Sequence, residues 1–187
     1  VTVPGSIVEP LIAASIVYVA VENIFTSGLN PWRPFVIFGF GLLHGLGFAS
    51  VLGEFGLPSD QFVPALIGFN IGVEIGQLTV IAIMALCVWQ ALRVARGEGG
   101  ADGAKRLYVG LAVAALALCF VPMPGVAAAL EAPVPLFLVP LGLVFTACFL
   151  SVQFRQTADP YRRFVAIPAS VGIAAVGAYW FIERVFL

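Results

Sequence analysis

Residues 62–86 read FVPALIGFNIGVEIGQLTVIAIMAL. As a helix rising about 1.5 Å per residue, this run is long enough to cross the ~30 Å of hydrocarbon in a bilayer. It nevertheless holds one ionisable group, Glu74, between Asn70 and Gln77. A carboxylate at the bilayer centre costs about 3 kcal/mol even on insertion scales, so Glu74 is a functional candidate that faces protein or water rather than lipid. Asn70, Glu74 and Gln77 follow i, i+4, i+7 spacing and so share one helical face. Gly68, Gly72 and Gly76 form a second stripe on nearly the opposite face, with the spacing that lets another helix approach closely. The expected third span is therefore gripped on one side and polar on the other.

The rest of the chain has the same character. Of 187 residues, 61% are hydrophobic and only 10% are charged, against roughly 25% charged in soluble domains. The mean hydropathy of +1.06 completes the case for an integral membrane protein and excludes a soluble enzyme or nucleic-acid binder. The fold class expected is all-α, a polytopic transmembrane helix bundle with about six spans. These runs lie at 7–26, 35–53, 62–86, 107–130, 134–154 and 164–182. Pro122 and Pro124 in the fourth and Pro135 and Pro140 in the fifth introduce kinks or a re-entrant turn.

Basic residues set the expected topology. Arg33 lies in the first connection, Arg93, Arg96, Lys105 and Arg106 around the third, and Arg155, Arg162 and Arg163 around the fifth, leaving only Arg184 opposite. The positive-inside rule then places Val1 and Leu187 outside, and the odd connections in the cytoplasm of a bacterial inner membrane. Trp32, Trp89, Tyr108, Tyr161, Tyr179 and Trp180 fall near span ends, as interfacial aromatics do. The segment RVARGEGGADGAKR at 93–106 reads as a flexible cytoplasmic loop. It separates a polar-site-bearing region, 1–92, from an apolar scaffold, 107–187. The chain starts with Val and lacks the charged n-region of a secretory signal, which reads as a protein with further spans upstream.

Two more polar clusters lie in the first region. His44, the only histidine, stands among Gly39, Gly41, Gly45 and Gly47, and Glu22 and Asn23 end the first run. Counting from span ends puts His44 and Glu74 near the midplane, with Glu22, Asn23 and Gln77 in a second layer toward the cytoplasm. One imidazole with carboxylates and amide oxygens suits a divalent first-row cation (Ni²⁺, Co²⁺, Mn²⁺ or Zn²⁺), and equally a proton relay. Such a donor set is weak for storage and apt for transient coordination along a path. The competing reading makes His44, Asn70 and Gln77 interhelical hydrogen-bonding glue. Glu9 either reaches the interface or guards an entrance. Cys87, Cys119 and Cys148 are unpaired in spacing and read as core.

The stretches IVEPLIAASIVYVAVEN (7–23), FGFGLLHGLGFASVL (38–52) and LIGFNIGVEIGQL (66–78), with a weaker GAYWFIERVF (177–186), resemble the HupE/UreJ family of bacterial membrane proteins. The resemblance implies a multi-span inner-membrane protein tied to nickel-dependent hydrogenase or urease systems. It would act as a nickel or cobalt permease, or as a non-transporting accessory to maturation proteins. It also implies upstream spans carrying a histidine, an Asp-His pair and an Ala-His-Ser segment, none of which this sequence has. The resulting candidate set is His44, Glu74, Asn70, Gln77, Glu22 and Asn23, with a divalent metal as cargo and no permanently bound cofactor. Enzyme chemistry is disfavoured: no G-x-S-G nucleophile segment occurs, and one histidine cannot give bis-histidine haem ligation.

Overall fold

In a computed structural model, residues 5–26, 30–54 and 59–186 are described. The fold is all-α. In chain order come α1 (Gly5–Phe25), α2 (Arg33–Glu54), α3 (Ser59–Ala95), α4 (Ala101–Leu118), α5 (Pro124–Leu130) and α6 (Pro135–Gln153), then a π-helical turn (Arg162–Ala166) that runs into α7 (Ile167–Phe186). Four stretches among the described residues are long and apolar enough to cross a membrane: Ser6–Phe25, Val63–Ala95, Pro135–Gln153 and Arg162–Phe186. On that criterion the expected count of about six is not reached, although α2 covers the second expected run as one continuous helix. The expectations for Val1 and Leu187 fall outside the described residues.

Two expected boundaries move. The fourth run, 107–130, is interrupted at the prolines where a kink or re-entrant turn was expected: α4 stops at Leu118 and only the short α5 resumes at Pro124. Pro122 and Pro124 lack the N–H that would carry the ladder across this stretch. Conversely, the expected loop 93–106 contracts to the five residues 96–100, because α3 continues to Ala95 and α4 begins at Ala101. The stop is a Schellman cap: Gly97 takes φ +78°, its N–H donates to the Val94 carbonyl, and the Glu98 N–H donates to the Arg93 carbonyl. Glycine is needed there because an L side chain strains in this conformation.

The chain divides into two compact units, one made of Val1–Ile81 with Ser170–Leu187, the other of Ala82–Ala169. In the second, α4 packs on α6, and α6 on the π-helical turn. Its centre is Tyr108, fully buried among Ala91, Ala104, Phe145, Cys148 and Val165. The Tyr108 hydroxyl donates to the Cys87 carbonyl at 3.0 Å and accepts from the Ala91 N–H at 2.9 Å. Those two groups are i and i+4 on α3, so a side chain of α4 bridges one rung of that helix's own ladder. Buried Tyr hydroxyls usually find such partners, and here the partner is backbone.

In the first unit α1 packs on α2, while α1 and α7 meet at Gly177. A Cβ there would lie 3.0 Å from Val17 Cγ2 and 3.1 Å from Ile16 Cγ2, tighter than a side chain tolerates. At one end of the same pair, Arg184 Nε lies 3.3 Å from Glu9 Oε2, which assigns Glu9 an ion-pair partner on α7. At the other end of α1, Asn23 accepts from Arg33. Glu9 and Asn23 are separated by about 21 Å along the helix, so Arg184 and Arg33 occupy opposite ends of this unit.

The glycine stripe of α3 behaves otherwise than expected. Gly68, Gly72 and Gly76 have nothing within 4 Å of a Cβ position, and Ile67, Ile71, Ile75 and Leu78 are exposed. Spacing identified glycines able to admit a neighbour, but the close crossing is made at Gly177. Gly177→Val is therefore expected to cost about 1–3 kcal/mol through overpacking, seen as a lower unfolding temperature in detergent, whereas Gly72→Val leaves it unchanged. Equal behaviour of the two variants would contradict this packing.

Candidate functional site

The groups that matter all lie within the first unit. A cavity of about 500 Å³ is lined by Ser15, Val19 and Asn23 from α1, by Phe40, Gly41 and His44 from α2, and by Asn70, Glu74 and Gln77 from α3, with Ile173 of α7 closing it. The α2 contribution follows the pattern Ile37, Phe40, Gly41, His44, and the α3 contribution Asn70, Val73, Glu74, Gln77. Both are i, i+3, i+4, i+7, the stripe one helical face presents to a common centre. Gly41 withholds a side chain one turn from His44, and nothing lies within 4 Å of its Cβ position.

Three of the lining groups are oriented by the same device. His44 Nδ1 donates to the Phe40 carbonyl at 2.8 Å, Asn70 Nδ2 donates to the Leu66 carbonyl at 2.7 Å, and Ser15 Oγ donates to the Ile12 carbonyl at 2.7 Å. Each donor is tied back to a carbonyl three or four residues earlier on its own helix. What remains for other partners is the imidazole Nε2, the Asn70 amide oxygen with its second N–H, and the Ser15 hydroxyl oxygen. Asn70 Oδ1 faces α2, 3.7 Å from the Cβ position of Gly45, so this glycine brings amide and imidazole helices together. Glu74 adds a carboxylate, and Gln77 a second amide, on the same lining.

Five of the six candidate residues thus share one cavity: His44, Asn70, Glu74, Gln77 and Asn23. Glu22 is not among the lining residues, and its Oε2 is buried with no hydrogen-bond partner among the described residues. Asn23 lines the cavity, but its oxygen accepts from Arg33 Nη2 at 2.6 Å. Two residues escaped sequence reasoning. Ser15, buried at 5% exposure, stands at i−8 from Asn23 on the same face of α1, a periodicity that could have revealed it. Arg33 was read only as a marker of topology. Among the described residues no group of three or more His, Cys, Asp or Glu could hold a metal ion, so the strong donors of this cavity are one imidazole and one carboxylate.

The HupE / UreJ protein family matches residues 1–123, which include every one of these groups except Ile173. The chain belongs to the HupE/UreJ family. No curated protein and no solved structure shows significant similarity to it. Family membership and the apolar helices together make this a membrane protein.

The back-bonded geometry has a direct spectroscopic consequence. Because the chain has a single histidine, ¹⁵N-histidine labelling reports His44 alone, and the expected spectrum at neutral pH is that of the Nδ1–H tautomer with unprotonated Nε2. A dominant Nε2–H tautomer would contradict the site as described.

Proposed function

We propose that this HupE/UreJ protein carries a divalent first-row cation, nickel or cobalt first, through the cavity between α1, α2 and α3, in the inner membrane of a bacterium. The observation that carries this reading is the common polarity of the lining. With the Nδ1–H of His44, one N–H of Asn70 and the Ser15 hydroxyl donated to backbone carbonyls, the imidazole Nε2, the amide and hydroxyl oxygens and the Glu74 carboxylate are the groups left to meet an ion. Such a lining favours cations, and a mixed nitrogen and oxygen set without thiolate suits borderline divalent ions over copper(I).

The stoichiometry of donors supports passage rather than retention. One imidazole, one carboxylate and neutral oxygens replace part of a hydration shell without the closed four-ligand geometry of a structural site. In this mechanism the ion sheds water on meeting His44 Nε2 and the Glu74 carboxylate. It exchanges onto Asn70 and Gln77 oxygens of the same α3 face, and leaves toward the Arg33 end, which the distribution of basic residues assigns to the cytoplasm. No covalent step is involved. The delivered metal would serve hydrogenase or urease maturation proteins.

The test is Ni²⁺ and Co²⁺ flux into proteoliposomes holding the purified chain, with a metal-sensitive dye inside. His44→Ala and Glu74→Gln are each expected to lower flux roughly tenfold or more, equivalent to about 1.4 kcal/mol per decade, while folded protein persists. Gly41→Leu, which fills the cavity without touching a donor, is expected to block flux as well. Flux indifferent to all three would remove the path reading and leave the accessory role in maturation.

A further inference from the structure

The Arg33 contact does not belong in a cation-attracting site, and that misfit is informative. Asn23 is a lining residue, yet its oxygen, the atom a passing ion would use, is held at 2.6 Å by a guanidinium. Arg33 is half-buried and is the first residue of α2, where the helix macrodipole already places positive partial charge. Its backbone is fixed by a short turn: the Arg33 N–H donates to the Asn30 carbonyl at 2.9 Å, and the Trp32 N–H to Asn30 Oδ1 at 3.2 Å. A full positive charge is thus anchored at one end of a cavity that also holds the Glu74 carboxylate and the His44, Asn70 and Gln77 side chains. One position before Asn23 on α1, the Glu22 carboxylate has a buried oxygen with no hydrogen-bond partner among the described residues. Adjacent helical positions lie about 100° apart, within the sweep of a long Arg side chain.

We propose that Arg33 is the gating residue of this cavity. Latched on Asn23, it closes that end against cations. Released from Asn23, with the Glu22 carboxylate as its next partner, it frees the Asn23 oxygen for the ion. The latched charge is the larger barrier to a divalent ion, because a fixed positive group repels it twice as strongly as a monovalent one at equal distance. This inference rests on the cation-path reading and adds to it the residue that controls exit.

The experiment uses the full chain in proteoliposomes, with Co²⁺ and, separately, Tl⁺ as a monovalent probe. Arg33→Gln is expected to raise Co²⁺ flux about tenfold and Tl⁺ flux less, while Arg33→Lys, which keeps the charge, stays near wild type. Asn23→Ala, which removes the latch from the other side, is expected to raise Co²⁺ flux too, and the double variant Arg33→Gln/Asn23→Ala to exceed neither single change, as residues acting in one contact are not additive. A gain of flux is something structural damage does not produce, and unfolding temperatures of each variant check the fold. If His44→Ala lowers flux while Arg33→Gln leaves it at or below the wild-type value, the gate is overturned and the path stands. If neither variant alters flux, both are overturned. Should wild type be silent, flux through Arg33→Gln supports the gate, and silence there too overturns both.

Discussion

Inside a membrane an N–H or O–H without an acceptor costs several kcal/mol, and the nearest acceptors on a helix are its own carbonyls three and four residues back. His44, Asn70 and Ser15 all satisfy their donors in this way. The same bonds that make these side chains tolerable in an apolar helix also fix which atoms they present elsewhere. A donor used locally leaves an acceptor facing the cavity, so the polarity of the site follows from the helical backbone rather than from contacts between helices. Interhelical glue would show the opposite pattern, with donors of one helix spent on acceptors of another. The interhelical side-chain bond found at this cavity, Arg33 to Asn23, lies at its end.

Bringing these groups together requires close backbones. Gly177 sets the approach of α7 to α1, while Asn70 Oδ1 lies at an ordinary contact distance, 3.7 Å, from the Cβ position of Gly45 on α2. The Glu9–Arg184 pair ties α1 and α7 at one end, and Asn23–Arg33 ties α1 and α2 at the other. The first unit thus carries opposed charge arrangements at its two ends: a carboxylate neutralised by Arg184, and a guanidinium resting on a neutral amide. The second unit is held by different means, with the Tyr108 hydroxyl bridging a rung of α3 and an apolar cluster around it.

Much of this was legible in the chain. Hydropathy located the helices, and the i, i+3, i+4, i+7 spacing placed Asn70, Glu74 and Gln77 on one face. The isolated histidine among glycines marked α2. What escaped has identifiable causes. Glu22 and Asn23 are neighbours about 100° apart on α1, and Asn23 is the one on the lining, while the more conspicuous carboxylate is not. Ser15 is common in apolar helices and carries no signal except its phase relative to Asn23. The Gly68, Gly72 and Gly76 stripe encodes permission for close approach but not the identity of a neighbour, and Gly177, with no second glycine at that spacing, made the tight crossing. The α4 break and the Gly97 cap were visible as Pro122, Pro124 and a glycine-rich run, yet their boundaries depended on backbone geometry that composition does not give.

In the proposed cation path, the cavity presents one imidazole nitrogen together with oxygens to the ion. X-ray absorption at the cobalt K-edge on purified protein loaded with Co²⁺ reads that donor set directly. The expected first shell is nitrogen and oxygen with the scattering signature of a single imidazole, lost in His44→Ala. A shell containing sulfur, or one unchanged by removal of His44, would contradict it.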